Sequence, residues 1–389
     1  MLCVKCKGRL YCGKSSCPIL DSFYSRSYQI REMDERPTPP SVFVGRTGYP
    51  KIYAGPMLVL GDQNPEIYEN PSAFSSSVEE VLSLRMGLAR TYRIFTVESA
   101  KNPDRNLSAL QEIASSIRFV DVEGEYDRII RKPSLDDITM PSGISAVFRK
   151  VRIVSNPKIP QKVEKVSEDE IRAVDGVMNL YISGFSTSYI QRVFSVGMLG
   201  MERKLVPTRW SITAVHDIIA ETLKKEIVNF DSINEVLLFS YQHYGNHFEV
   251  ILYPSSYSFQ LVEIWIEKSL WSPERTWIGS DRETAGRKKE YSDLSGGYYA
   301  ARLPVVEHLH RMRRQAGVIV LREILPEYTA PLGVWVVEEG VRKAMNSKPE
   351  RFHSLDDALN TAERRIKTRR DRWEKHIQLY QQMSLKQFL

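Results

Sequence analysis

Apolar positions recur with a helical period in several stretches of the chain. Residues 106–117 carry Leu107, Leu110, Ile113 and Ile117, and residues 211–228 carry Ile212, Val215, Ile219, Leu223 and Ile227, spaced three or four apart. Ser77-Val78-Glu79-Glu80 has the form of a capping box and predicts a helix to about residue 90. Ser167-x-x-Glu170 predicts another to about 182, a third covers 187–196, and a fourth lies around 305–314. Residues 51–60, 93–97 and 146–154 read as strands. Further on the period falls to two. Residues 235–241 and 247–253, parted by Gln242-His243-Tyr244-Gly245-Asn246, read as a β-hairpin, with 259–267, 318–324 and 333–338 as further strands. This order predicts an α+β fold with a mixed or antiparallel central sheet and packed helices.

The last periodic stretch opens at Ser354-Leu355-Asp356-Asp357. Leu355, Leu359, Ala362, Ile366, Trp373, Ile377 and Tyr380 mark one stripe of a single helix of roughly 27 residues, about 40 Å long. The expected organisation is a small module at 1–20, an N-terminal α/β region at 21–155 and a central α+β region with the hairpin at 156–345. A long basic amphipathic helix at 346–381 and a short tail at 382–389 follow. The turn-rich Asn156-Pro157-Lys158-Ile159-Pro160 marks the first internal boundary.

Composition adds bounds. Hydrophobic residues at 42% and aromatics at 10% suffice for a packed core and exclude global disorder. No apolar run approaches the ~18 residues of a membrane span, so the chain reads as soluble and cytoplasmic. There is no Walker A loop or G-x-G-x-x-G. Net charge is +6, and its placement matters more than its size: from Val341 to Leu389, twelve Lys and Arg face six Asp and Glu, so the whole surplus lies there. It peaks at Arg364, Arg365, Lys367, Arg369, Arg370 and Arg372, an electrostatic footprint for phosphate backbone or, equally, a solvated helix face.

All four cysteines fall in the first seventeen positions, as Cys3-x2-Cys6-x5-Cys12-x4-Cys17. Disulfides that staple a fold are scattered over it, whereas four clustered thiolates suit one tetrahedral Zn²⁺. Cys3-Val4-Lys5-Cys6-Lys7-Gly8 has the form of a zinc knuckle. Four protein ligands leave no open coordination position, so the expected role is structural. Two disulfides, a [4Fe–4S] cluster and free thiols are the competing readings, each fitting the spacing or the missing export signal less well.

Three other constellations invite chemistry. Arg209, in Pro207-Thr208-Arg209-Trp210-Ser211, precedes a strong helix whose amides with it would suit a phosphate; a buried Arg–carboxylate pair is the alternative. His243, His247 and Glu249 surround the hairpin turn, with His216 and Asp217 on the preceding helix, and read as polar turn residues ahead of a second metal site. Residues 271–299 interleave Arg275, Trp277, Arg282, Arg287, Lys288, Lys289, Tyr291, Tyr298 and Tyr299, as a loop binding single-stranded nucleic acid would.

The sequence closes on Gln382-Met383-Ser384-Leu385-Lys386-Gln387-Phe388-Leu389. This resembles the PIP box by which replication and repair proteins bind the sliding clamp PCNA: one helical turn would put Leu385, Phe388 and Leu389 on one side, with Gln382 at the pocket edge. The cysteine module running into Cys17-Pro18-Ile19-Leu20, Phe43-Val44-Gly45-Arg46, the stretch Leu205 to Thr213 and the tail together resemble the archaeal Nre DNA repair proteins. The resemblance implies a role in DNA damage repair, zinc in the N-terminal finger and PCNA as partner, and implies no settled enzymatic chemistry. A metal-dependent nuclease or nucleotide-processing hydrolase is the first alternative, and an RNA-binding zinc protein the second.

Overall fold

The computed structural model describes residues 6, 9–11, 13, 15–24, 30–31, 33–61, 65–68, 77–270, 272 and 274–378. They form two compact units, one within residues 16–219 and one that joins the described residues before 16 to those from 220 onward.

The first unit contains α1 (Pro18–Tyr24), β1 (Met33–Thr38), β2 (Val42–Val44), β3 (Lys51–Val59), α2 (Val78–Met86), β4 (Leu88–Thr96), α3 (Arg105–Ser115), β5 (Val120–Ile130) and β6 (Ser145–Ile153). After them come α4 (Gln161–Glu168), α5 (Ala173–Ile182), α6 (Thr187–Ser195) and the start of α7 (Thr208–Ile227). The strands make one sheet in the order β1-β5-β6-β4-β3-β2, with β4 and β6 parallel and every other pair antiparallel. Leu107, Leu110 and Ile113 of α3 are buried, as their spacing predicts, and Asp104 caps the helix by accepting the Leu107 N–H. Asn106 pins α3 to β6: its Oδ1 accepts the Val151 N–H at 2.9 Å. One predicted cap is corrected. Ser167 lies near the end of α4, its hydroxyl bonded to the Glu164 carbonyl, and α5 starts afresh at Ala173.

The second unit contains β7 (Val236–His243), β8 (Asn246–Tyr253), β9 (Ser258–Trp265), β10 (Trp277–Thr284), α8 (Gly296–Met312), β11 (Gly317–Ile324), α9 (Trp335–Met345), β12 (Glu350–Phe352), α10 (Leu355–Glu363) and α11 (Arg370–Trp373). The sheet order is β10-β9-β11-β8-β7-β12, with β9 and β11 parallel. The hairpin is tighter than its sequence implied. Its loop is Tyr244-Gly245 alone, both at positive φ, the two-residue form that matches strand twist. One face of the sheet carries Phe248, Glu263 and Arg322 and meets α8 and α9; Gly340 of α9 packs so close that a Cβ there would come within 2.2 Å of the Phe248 ring. The other face carries Ile251, Tyr253, Val262, Ile264, Ile319 and Leu321, packed on α10 and the residues after it. Two covered faces explain why β8, β9 and β11 are buried along their whole length.

Three further expectations change. Residues 333–338 are not a strand: Val337, Val341, Ala344 and Met345 continue the apolar pattern at helical spacing, forming α9. Residues 271–299 are not a long loop: β10 and the start of α8 occupy much of them, and Tyr298 and Tyr299 are buried. The helix drawn over 355–381 ends at Glu363. The chain turns, re-enters a single turn at α11, and still buries Ile366, Trp373 and Ile377 in the same core as Leu359 and Ala362.

Candidate nucleic-acid interface

That turn is built by a buried acid. Both carboxylate oxygens of Glu323, on β11, accept backbone N–H groups, from Lys367 and Thr368, each at 2.8 Å. Glu363 accepts the Arg370 N–H at 2.9 Å, and Trp373 Nε1 donates to the Thr368 carbonyl at 3.0 Å. The same turn sorts the basic residues. Arg365 reaches inward to Glu249, at 3.5 Å, and to Glu350. Arg370 is held by Asp356 at 2.5 Å, Glu374 at 2.6 Å and Asn360 at 2.6 Å. Burial pulls both guanidinium groups down, but their acidic partners outweigh it and hold them above the ordinary arginine value. Arg364, Lys367, Arg369 and Arg372 are exposed. The six cations of the sequence pattern thus divide into two anchors and four that face water.

Arg209 sits at the start of α7. Its NH1 donates to Asp136 Oδ1 at 3.0 Å and its NH2 to Asp137 Oδ2 at 3.1 Å. Burial raises the Asp137 carboxyl, but the Arg209 hydrogen bond and charge prevail and keep it below the usual carboxylate range. With two aspartates beside one arginine, the trio is net negative, so the geometry is that of the Arg–carboxylate pair. Thr208 Oγ1 accepts the Val44 N–H at 2.9 Å. The stretches around Val44 and Thr208, 164 residues apart, are thereby brought together.

Of the four cysteines, Cys6 and Cys17 belong to the described residues, while Cys3 and Cys12 lie outside them, as do Gln382, Leu385, Phe388 and Leu389. Cys6 is buried, and its Sγ accepts the Tyr11 N–H at 3.3 Å.

A model described as archaeal Nre, N-terminal, matches residues 11–272, and one described as archaeal Nre, C-terminal, matches residues 283–389. This chain belongs to the archaeal Nre family. The DNA repair protein NreA of Archaeoglobus fulgidus is 52% identical over 370 residues, covering 94% of each chain. The DNA repair protein NreB of the same organism is 36% identical over 96% of this chain and 95% of its own. The DNA repair protein NreA of Haloferax volcanii is 34% identical over 82% of this chain and 80% of its own. No solved structure matches.

Several other buried polar groups of this Nre chain meet one another. Glu249 Oε1 accepts from Ser240 Oγ at 2.7 Å and meets His247 Nε2 at 2.8 Å. Serine and acid converge on the same ring nitrogen, which is not the relay of a catalytic triad. His243 packs on Tyr244, while His216 belongs to the other unit, where it meets Gln191 at 3.0 Å. Beneath α8, sequence reasoning missed a buried quartet. Arg302 and Lys224 each bridge Glu221 and Glu283, and Tyr257 donates to Glu283 at 3.0 Å. Two cations and two carboxylates cancel, as burial demands. Alongside, Arg322 joins Glu263 at 2.6 Å and Asn246 at 2.7 Å. For Glu263, Arg322 and Glu323 the available signal was a charged residue inside an apolar strand.

Proposed function

We propose that this chain is a DNA damage repair protein that binds nucleic acid through an exposed basic surface and is recruited by the sliding clamp PCNA. The observation that carries the reading is the 52% identity, over 94% of the chain, to a protein named for DNA repair. The geometry supports the binding half. Glu323 grips the chain at Lys367 and Thr368, so Arg364, Lys367, Arg369 and Arg372 project on a stiffened turn rather than a frayed helix, which lowers the entropy lost on contact with phosphates. The recruitment half rests on the pattern of Gln382, Leu385, Phe388 and Leu389. A structural Zn²⁺ held by Cys3, Cys6, Cys12 and Cys17 would supply the folding energy that so short a module lacks.

The test is a pull-down with PCNA comparing the full chain with one ending at Gln381, beside a salt titration of DNA affinity. Recruitment requires that only the full chain be retained. Equal retention removes the clamp from the reading, and DNA affinity indifferent to salt removes the basic surface.

A further inference from the structure

One face of the first unit's sheet is dressed in two ways. At one end Met57 and Val59 of β3 are covered by Leu84 and Tyr68, with Phe43 packed alongside. At the other end the same face turns aromatic and open. Tyr53 on β3 stands opposite Ile94 on β4, and the two are 38% and 57% exposed. Tyr92, two residues along β4, meets the Tyr53 ring edge-on, centroids 5.1 Å apart. A loop of residues 45–50 closes onto this end through the Gly45 N–H, which donates to the Tyr53 carbonyl at 2.7 Å. It brings up Tyr49, 52% exposed, whose ring lies 5.3 Å from that of Trp210, 43% exposed.

Two pairs of large rings, Tyr53 with Tyr92 on the sheet and Tyr49 with Trp210 at the adjoining loop, are costly to leave in water unless something covers them. Cations flank them. Lys51 shares the open face of β3 two residues from Tyr53 and is exposed. Tyr92 pairs with Val147 on β6, which pairs in turn with the exposed Arg128 on β5, so a cation closes the row. Arg46 is exposed in the loop itself. Rings that offer π-faces beside cations spaced along a strand complement a polyanion whose bases are unstacked. A duplex keeps its bases stacked on one another and presents none of them to a flat ring.

We infer that this face and the adjoining loop, with Tyr53, Tyr92, Tyr49 and Trp210 as stacking groups and Lys51 and Arg128 as phosphate contacts, bind single-stranded nucleic acid. The inference rests on the nucleic-acid-binding reading above and gives it a strand form and a second surface.

The experiment is fluorescence anisotropy of the full chain with a labelled single-stranded oligothymidylate of about 16 nucleotides and a duplex of the same length. Tyr53→Ala and Trp210→Ala should each weaken single-strand binding by about tenfold, with duplex binding changed by less than about twofold. Trp210→Phe keeps a ring and should retain binding, while losing the part of the tryptophan quenching that the oligonucleotide causes in wild type. Lys51→Gln and Arg128→Gln should each flatten the salt slope by about 0.7. If wild type binds single strands but the ring variants do so equally well, this face is not the site and nucleic-acid binding stands elsewhere. If duplex and single strand weaken together, the face reads phosphates alone and stacking is overturned. If wild type binds neither, the broader reading falls with it. Quenching in Trp210→Phe identical to wild type overturns the proposal even should Trp210→Ala fail to fold.

Discussion

The nine-residue basic run offers a sharp test because the turn at Glu323 gives neighbouring arginines opposite roles. Replace Arg364, Lys367, Arg369 and Arg372 by Gln in one variant, and Arg365 and Arg370 in another. The first four are exposed, and the one ion pair among them, Arg369 with Asp371 at 3.6 Å, lies in water and is worth little. If all four touch phosphates, the slope of log affinity against log salt flattens by up to about 3.6 on duplex DNA. Melting temperature should stay within about 1 °C, since no buried contact is lost. The second variant should behave the other way. Glu249 has a side chain 0% exposed, whereas Arg365 is 29% exposed, and Ser240 and His247 remain to satisfy the acid. Removing Arg365 therefore costs about 1–3 kcal/mol rather than the full penalty of an orphaned buried charge. The partly exposed Arg370 pairs add about 1 kcal/mol. Together these lower the melting temperature by roughly 5–10 °C while the salt slope barely moves. Anisotropy across a salt series, with calorimetric melting of each variant, reads both quantities. The reasoning fails if the Arg365 and Arg370 variant loses DNA affinity at unchanged melting temperature, or if the exposed quartet proves silent.

Protein purified under reductant should carry about one equivalent of zinc, lost when Cys6 is changed to Ser; iron with a visible absorption band would replace zinc with a cluster. Phe388→Ala should weaken PCNA binding by about 2 kcal/mol or more while Ser384→Ala is nearly neutral; calorimetry giving equal affinities for wild type and Phe388→Ala would make the motif a coincidence. Burial, with Arg311 nearby, pushes His308 down to about 4, beside the Phe239 ring. The unfolded chain takes up that proton below about pH 6.5 and the folded chain only near its depressed value, so stability falls as pH drops through that window. His308→Gln should therefore lose less melting temperature than wild type between neutral pH and about pH 5. Identical losses would show that other groups carry the acid response.

Legible and illegible elements divide along one physical line. Elements whose signal lies in their own spacing were legible. Leu107, Leu110 and Ile113 announced α3, Ile212 to Ile227 announced α7, and the alternation around Tyr244-Gly245 announced the hairpin. The clustering of four cysteines and the family resemblance were equally open to inspection, because both are properties of order along the chain. Where a window was too short the same signal misled: 333–338 looks extended until Val341, Ala344 and Met345 are counted.

What the chain order could not show is which distant group each residue meets. The apolar stripe from Leu355 to Ile377 was right in its buried members and wrong in its shape. A carboxylate 44 residues away, Glu323, competes for the amides that a continuous helix would have used. Charge counting found the basic run but not its division, since Arg365 and Arg370 are taken by Glu249, Glu350, Asp356 and Glu374, each supplied by folding. Arg209 met two aspartates from a loop more than seventy residues earlier. The meeting of Val44 with Thr208, and with it that of Tyr49 with Trp210, joins residues far apart in sequence. Local periodicity is set by each residue's own backbone and neighbours, so sequence alone determined it; partnership is a long-range competition among donors, acceptors and charges, decided only when the sheets close.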